Sequence, residues 1–257
     1  MILTIDIGNT NIKTGLFEGS EMTNYWRIST KRQYTSDEYG MTMEDMFRHS
    51  ALEMTRVEGI IISSVVPTVN YTIDHMCRDF FHVEPLFVHP GIDIGIDIRY
   101  DNPGDLGSDR ICNAVAAYTL WGGPCISIDF GTATSFGVVD KGGAFLGGCI
   151  CPGIRIASEA LVTGTAKLPH YELVKPPTVV GRNTIANLQS GVIYGYVGQV
   201  EYLIERMREE VREKDAIVIA TGGFANLIAS ETKVIDKIDS LLTLKGLRLL
   251  YERNARL

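Results

Sequence analysis

Long hydrophobic runs are missing from this 257-residue chain. None reaches the roughly 18 consecutive apolar residues that a membrane helix needs. The N-terminus, MILTIDIGNTN, has neither the basic stretch nor the small-residue cleavage site of a signal peptide. It reads as strand from its second residue, so the expectation is a cytoplasmic protein with nothing preceding the fold. Basic charge is also scarce. Against 31 Asp+Glu stand 24 Lys+Arg, a formal net charge of −7. Nonspecific nucleic-acid binding needs a basic face that this balance does not advertise. Cysteines number five, Cys77, Cys112, Cys125, Cys149 and Cys151, an odd set that points to reduced, buried thiols over disulfides. Cys149 and Cys151 lack a second Cys or His pair at zinc spacing. No Gly-x-x-x-x-Gly-Lys-Ser/Thr element occurs, which excludes a P-loop nucleotide site.

What is present is ordinary for a soluble globular protein: 45% hydrophobic and 21% charged residues, enough to build a core and to exclude intrinsic disorder. The length allows one large domain or two small ones. Residues 2–7 read as a strand, 8–11 as a tight turn, 12–17 as a returning strand and 23–29 as a third. Ser36-Asp37-Glu38 opens a helix to about residue 52, and 59–66 is a buried strand closed by Pro67. Val69, Ile73, Met76, Cys77 and Phe80 share one helical face, which is a core stripe. A helix follows from about 108 to 120. The pattern then begins again, with a strand at 125–130, a turn at 131–134, a returning strand at 135–139 and another to about 150. Helices are expected at 153–165, 184–212 and over most of the last twenty residues, with a strand at 216–221 between them.

Two halves therefore each open with strand–Asp–x–Gly–turn–strand, their acids being Asp6 and Asp129. A duplicated architecture with a cleft between similar domains follows, divided at 1–118 and 119–257.

The two turns carry the first chemistry. A carboxylate one residue from a glycine sits beside backbone that a ligand can approach closely. Gly8 and Gly131 leave their N–H groups unscreened by a Cβ, as phosphate oxygens require. Thr10, Asn11, Thr132 and Thr134 add side-chain donors, and Lys13 adds charge. Asp6 and Asp129 are placed to hold a cation that neutralises the phosphates. A single such turn reads equally well as a plain hairpin; two copies favour a phosphate-and-cation site. Thr221-Gly222-Gly223-Phe224 is a strand-to-helix switch whose glycines let an adenine or ribose lie against backbone, so the three elements together suggest an ATP site. Gly107-Ser108-Asp109-Arg110 stands at a helix start, where Ser108 or Asp109 would also serve as a simple cap. In the functional reading Asp109 accepts a proton from a substrate hydroxyl attacking the γ-phosphate. Arg110 presents a planar charged fork to an anionic substrate.

At these residues the chain resembles type III pantothenate kinase. Asp6-Ile-Gly-Asn-Thr-Asn, Tyr100-Asp-Asn-Pro with Gly107-Ser-Asp-Arg, Asp129-Phe-Gly-Thr-Ala-Thr and Thr243-Leu-Lys-Gly-Leu occur in that family's order. The resemblance implies an α/β fold of two similar ribonuclease H-like domains, shared with acetate kinases, sugar kinases, Hsp70 ATPase domains and actin. It implies ATP-dependent phosphorylation of pantothenate, the first step towards coenzyme A. A homodimer, magnesium, and a monovalent cation (potassium or ammonium) are implied with it. Carried over by position, Asp6, Ile7, Gly8, Asn9, Thr10, Asn11, Ile12 and Lys13 would line the ATP phosphates, and Thr132 would contact ATP. Asp109 would be the proton acceptor. Tyr100, Gly107, Ser108, Asp109, Arg110 and Thr184 would contact pantothenate, and Asp129 would bind the monovalent cation. Ser108 replaces the alanine common in that motif. Gly191, Gly195 and Gly198 on the long helix would let a second helix approach, so that helix is the expected dimer interface. The alternatives are another small-molecule kinase of the same superfamily, differing over residues 99–110, or a non-catalytic relative accessory to transcription. No nucleic-acid or membrane partner is expected.

Overall fold

Ile2–Ile7 (ILTIDI) forms β1, the middle strand of a five-stranded sheet, and five of its six residues are buried. In the computed structural model, which describes residues 1–255, the chain continues through β2 (Asn11–Glu18), β3 (Glu21–Ser29), α1 (Ser36–His49), β4 (Gly59–Ser64) and α2 (Asn70–Met76). Next come β5 (Leu86–Phe87), β6 (Asp97–Ile98), α3 (Ser108–Trp121), β7 (Cys125–Phe130), β8 (Ala133–Val139), β9 (Ala144–Gly147) and β10 (Ile150–Pro152). The remainder is α4 (Ile154–Thr163), α5 (Thr184–Glu210), β11 (Ile217–Gly222), α6 (Ala225–Ala229), β12 (Lys237–Ile238) and α7 (Leu242–Asn254). The predicted elements are all found, with the strand expected up to residue 150 divided into β9 and β10. Past α2 the predicted helix widens into a π turn over Cys77–Phe81.

The chain packs as two units. The first holds residues 1–96, 101–116 and the C-terminal segment from Leu242; the second holds 97–100 and 117–241. Each unit repeats one sheet plan. In the first the order is β3-β2-β1-β4-β5, antiparallel across the first two pairings and parallel across the next two. In the second, β9-β8-β7-β11-β12 has the same order and the same senses, with β6 added beside β9 and β10 beside β8. The repeated strand–Asp–x–Gly signature thus marks a repeated topology.

Alternation along the central strands decides what the first unit's site contains. Leu3, Ile5 and Ile7 point with Ile60 and Ile62 into a cluster with Tyr39, Met43 and Phe47 of α1 and Ile73 and Met76 of α2. By the period of two, Thr4, Asp6, Ile61 and Ser63 share the opposite face. α7 packs on β1 and β4, so the last helix of the sequence completes the first unit. Its Gly246 makes the approach to α3 possible, because a Cβ there would lie 2.1 Å from the Cys112 carbonyl oxygen. Thr243 Oγ1 donates to Asn113 Oδ1 at 2.8 Å in the same contact. The Thr243-Leu-Lys-Gly-Leu motif therefore acts through packing. In the second unit Ile126, Ile128, Val218 and Ala220 are buried with Val197, Val200 and Ile204 of α5.

Candidate active site

In the first unit, Asp6 on β1 stands directly opposite Lys13 on β2. Opposed side chains of an antiparallel pair share a face, and Lys13 Nζ lies 3.8 Å from Asp6 Oδ2. Ser63 on β4 is the parallel partner of Asp6. α3 brings Asp109 to the same place: the charges of Arg110 and Lys13 both act on its carboxyl, and Asp6 and Asp109 both act on the buried Cys112 thiol. Burial raises the Asp109 carboxyl above its ordinary range; the Arg110 N–H, which donates to Oδ1 at 2.8 Å, and the Arg110 and Lys13 charges pull the other way. A half-buried carboxylate with a raised pKa, next to a lysine, has the character of a proton acceptor.

Gly107 is needed because a Cβ on it would stand 2.6 Å from Asp109 Oδ1. Ser108 does not contact the helix amides as a cap would; its hydroxyl reaches β4, accepting from the Ser64 N–H at 2.9 Å. Arg110 is buried, with 8% of its surface exposed.

The β1–β2 turn differs from its sequence reading in one respect. The Gly8 N–H donates to the Asn11 carbonyl at 3.0 Å and closes the hairpin, so it is not offered to a ligand. Thr30 braces the turn through Oγ1 on the Gly8 carbonyl, at 2.6 Å. Ile7 and Ile12 turn their side chains into the core, at 0% and 2% exposure. Within Asp6–Lys13 the outward groups are Asn9 and Thr10, with Gly8, Asn11 and Lys13 half-buried.

The second unit repeats this turn with one residue fewer. Asp129 pairs with Ser135, six positions on, whereas Asp6 pairs with Lys13, seven on. The Gly131 N–H likewise closes its turn, on the Ala133 carbonyl at 3.1 Å. Thr132 is exposed at the tip, while Thr134 is fully buried with no hydrogen bond for its hydroxyl. Two further glycines crowd the turn. A Cβ on Gly153, just before α4, would lie 2.1 Å from the Thr132 carbonyl oxygen, and one on Gly222 would lie 2.6 Å from Asp129 Oδ1 and from Phe130. Gly222 also has φ +93°, a conformation that favours glycine. Gly131 and Gly222 thus stand close to the Asp129 carboxylate, and the Gly222 position also meets the Phe130 carbonyl oxygen. A carboxylate with nearby carbonyls is an oxygen donor set suited to a hard cation.

Among the described residues no three His, Cys, Asp or Glu side chains gather as a metal cage. A magnesium ion held through one carboxylate and substrate phosphates needs no such cage. After Gly223 the Phe224 ring, with the Arg155 guanidinium 5.8 Å from its centroid, lines a pocket of about 410 Å³ with Val162, Tyr171 and Leu173. Tyr100 belongs to this unit and lies against Phe145, ring centroids 6.2 Å apart. Thr184 is exposed in the first turn of α5, whose cap is Asn183 (Oδ1 accepting from the Ala186 N–H at 2.9 Å). Gly191, Gly195 and Gly198 are exposed with open space before them. The five cysteines are all free thiols. Ser63, Ser64 and Gly153 escaped the sequence reading. The one available signal was Ser63-Ser64, a polar pair ending an otherwise apolar strand.

Repeated units of this topology, each with an aspartate beside a glycine turn, define the α/β fold of sugar kinases and actin-like ATPases. The family model described as type III pantothenate kinase matches residues 2–206, and the chain belongs to that family. Among solved structures, one from Campylobacter jejuni assigned to the Baf family of transcriptional activators has a TM-score of 0.65 at 19% identity, covering 99% of this chain and 100% of that one. The activator of 2-hydroxyisocaproyl-CoA dehydratase from Clostridium difficile, solved with bound ADPNP, gives 0.52 at 11% identity, covering 100% and 97%. The polyphosphate/ATP-glucomannokinase of Arthrobacter sp. strain KM gives 0.50 at 12%, covering 99% and 98%. At these identities the structural matches speak for the fold. Among the described residues no helix is long and apolar enough to cross a membrane.

Proposed function

We propose that this protein phosphorylates pantothenate at its primary hydroxyl with ATP. The observation that carries the reading is the grouping of Asp6, Lys13 and Asp109 in the first unit: a phosphate-neutralising cation beside a carboxylate of raised basicity. As the substrate oxygen attacks the γ-phosphorus, its proton passes to the Asp109 carboxylate, the new O–P bond forms, and the bond to the departing ADP oxygen breaks. The transition state of phosphoryl transfer is loose, so Asp109 orients the hydroxyl as much as it deprotonates it.

In the first unit the exposed turn tip, Asn9 with Thr10, supplies donors to the ATP phosphates, and Lys13 exchanges its Asp6 partner for them; the family's pattern also assigns Thr132 an ATP contact. Asp6 would hold magnesium together with the phosphates, and the ion would supply charge neutralisation for the transferred group when bound. Asp129 takes a monovalent cation, potassium or ammonium. The backbone of Gly222-Gly223 with the pocket beside Phe224 and Arg155 receives the nucleoside. Arg110 takes the pantothenate carboxylate, and the family's pattern assigns Tyr100 and Thr184 to the same substrate. The open glycine face of α5, flanked by the exposed Ile185 and Tyr202, forms a homodimer, and the enzyme works in the cytoplasm.

A coupled ADP-release assay comparing pantothenate with acetate and common sugars tests the substrate. Turnover on pantothenate is expected; turnover only on the others would move the protein to a different kinase of the fold. The transcriptional-activator name of the Campylobacter protein suggests a binding-only reading, and a binding-only protein has no need of Asp109.

A further inference from the structure

The Ser108 hydroxyl makes three contacts, and all three go to the end of β4. It accepts from the Ser64 N–H at 2.9 Å, reaches the Ser64 carbonyl at 3.1 Å and lies 3.0 Å from Ser63 Oγ. Ser63 in turn is hydrogen-bonded to the Cys112 thiol. A hydroxyl has one proton and two acceptor sites, and that count orders the serines: Ser63 O–H to Ser108, Ser108 O–H to the Ser64 carbonyl. Every proton is used once. Ser63 and Cys112 are fully buried and Ser108 is 7% exposed.

The clamp stands where the sheet runs out. β5 follows β4 only at Ile61 and Ile62, and the ladder closes with the Val88 N–H on the Ile62 carbonyl at 2.8 Å. Beyond it, Ser108 Oγ meets both the N–H and the C=O of Ser64 in place of a neighbouring strand. The first residue of α3 is thereby pinned to the strand beside β1, at Ser63 and Ser64, the register partners of Asp6 and Ile7. Asp109 is the next residue, and Cys112 lies one turn further on.

We propose that Ser108 and Ser63 are positioning residues for Asp109, locking the start of α3 to the end of β4 so that the carboxylate is held at one place relative to Asp6 and Lys13. The proposal rests on Asp109 as proton acceptor. It gives Ser108 a role through its neighbour, distinct from the pantothenate contact implied for it by resemblance. The charges that act on Asp109 are those of Arg110 beside it on α3 and Lys13 on β2, while Asp6 on β1 and Asp109 both act on the Cys112 thiol. When α3 loosens, water reaches the carboxyl, its burial falls and its pKa drops towards the ordinary range.

Ser108→Ala, Ser63→Ala and Asp109→Asn, singly and as Ser108→Ala/Asp109→Asn, separate the possibilities. For each serine variant the expectation is a fall in kcat of about tenfold, little change in KM for ATP, and an acidic limb of the kcat–pH profile moved to lower pH. In the Asp109→Asn background Ser108→Ala should cause no further loss, because the group it positions is gone. Wild-type kcat and pH profile in both serine variants, with Asp109→Asn inactive, would overturn the positioning role alone. An active Asp109→Asn would overturn the proton-acceptor reading on which it rests. Equal losses from Ser108→Ala in both backgrounds would assign the serine to general stability and also overturn the proposal.

Discussion

Gly107 and the carboxylate of Asp109 compete for the same space: a Cβ on the glycine would come within 2.6 Å of Oδ1. The obstructed atom ends a short side chain and is not backbone, so Gly107→Ala displaces the carboxylate and leaves the fold intact. Stability should stay within about 1 kcal/mol of the parent, while kcat falls about 100-fold or more. Thermal melts beside steady-state kinetics check the pair of values. Unchanged kcat would mean that the carboxylate tolerates displacement.

Asp109→Asn should stabilise the protein at neutral pH. Burial raises the carboxyl in the folded state, so between the unfolded and folded pKa values the native state binds more protons, and stability falls as pH rises through that window. Above the folded pKa the full cost of a buried charge is present; below the unfolded value it vanishes. The variant should therefore melt higher than the parent at pH 8, with the difference shrinking as the pH approaches 4. Melting curves across that range test the sign. A variant less stable at pH 8 would show that the carboxylate's bond from the Arg110 N–H outweighs its desolvation.

Gly222→Ala places a Cβ 2.6 Å from the Phe130 carbonyl at a φ of +93°. Backbone cannot yield as a side chain does, and the expected loss is about 2–4 kcal/mol. Gly223, with nothing within 4 Å of its Cβ position, is the control and should lose no more than about 0.5 kcal/mol on the same change. Urea unfolding of the two variants makes the comparison.

The contact of α7 on α3 gives a fourth expectation. Thr243→Val leaves the buried Asn113 Oδ1 without the hydroxyl it accepts from, at a cost of about 1–3 kcal/mol. Gly246→Ala meets the Cys112 carbonyl and should lose more. Hydrogen exchange should speed up in β1 and β4, on which α7 rests, in both variants. Protection unchanged there would separate α7 from the stability of that sheet.

Much of the site was legible in order along the chain. Period-two alternation through ILTIDI puts Asp6 on the face opposite the α1 core, whatever packs there. The repeated Asp–x–Gly turn announced a repeated sheet, and Gly222 marked backbone that something had to approach. What filled that space was not legible. Gly8 and Gly131 looked like open donors, yet each N–H closes its own hairpin, a bond set by turn length as the strands pair.

The sequence by itself determined the strands, the helices and the types of group available for chemistry, because these follow from local periodicity and turn residues. Only the tertiary structure decided that α7, last in the chain, completes the first unit, and that Ser108 faces Ser63 and Ser64 across 45 and 44 positions. Contacts between distant segments depend on which faces remain apolar after every strand has paired, and no local window of residues contains that information.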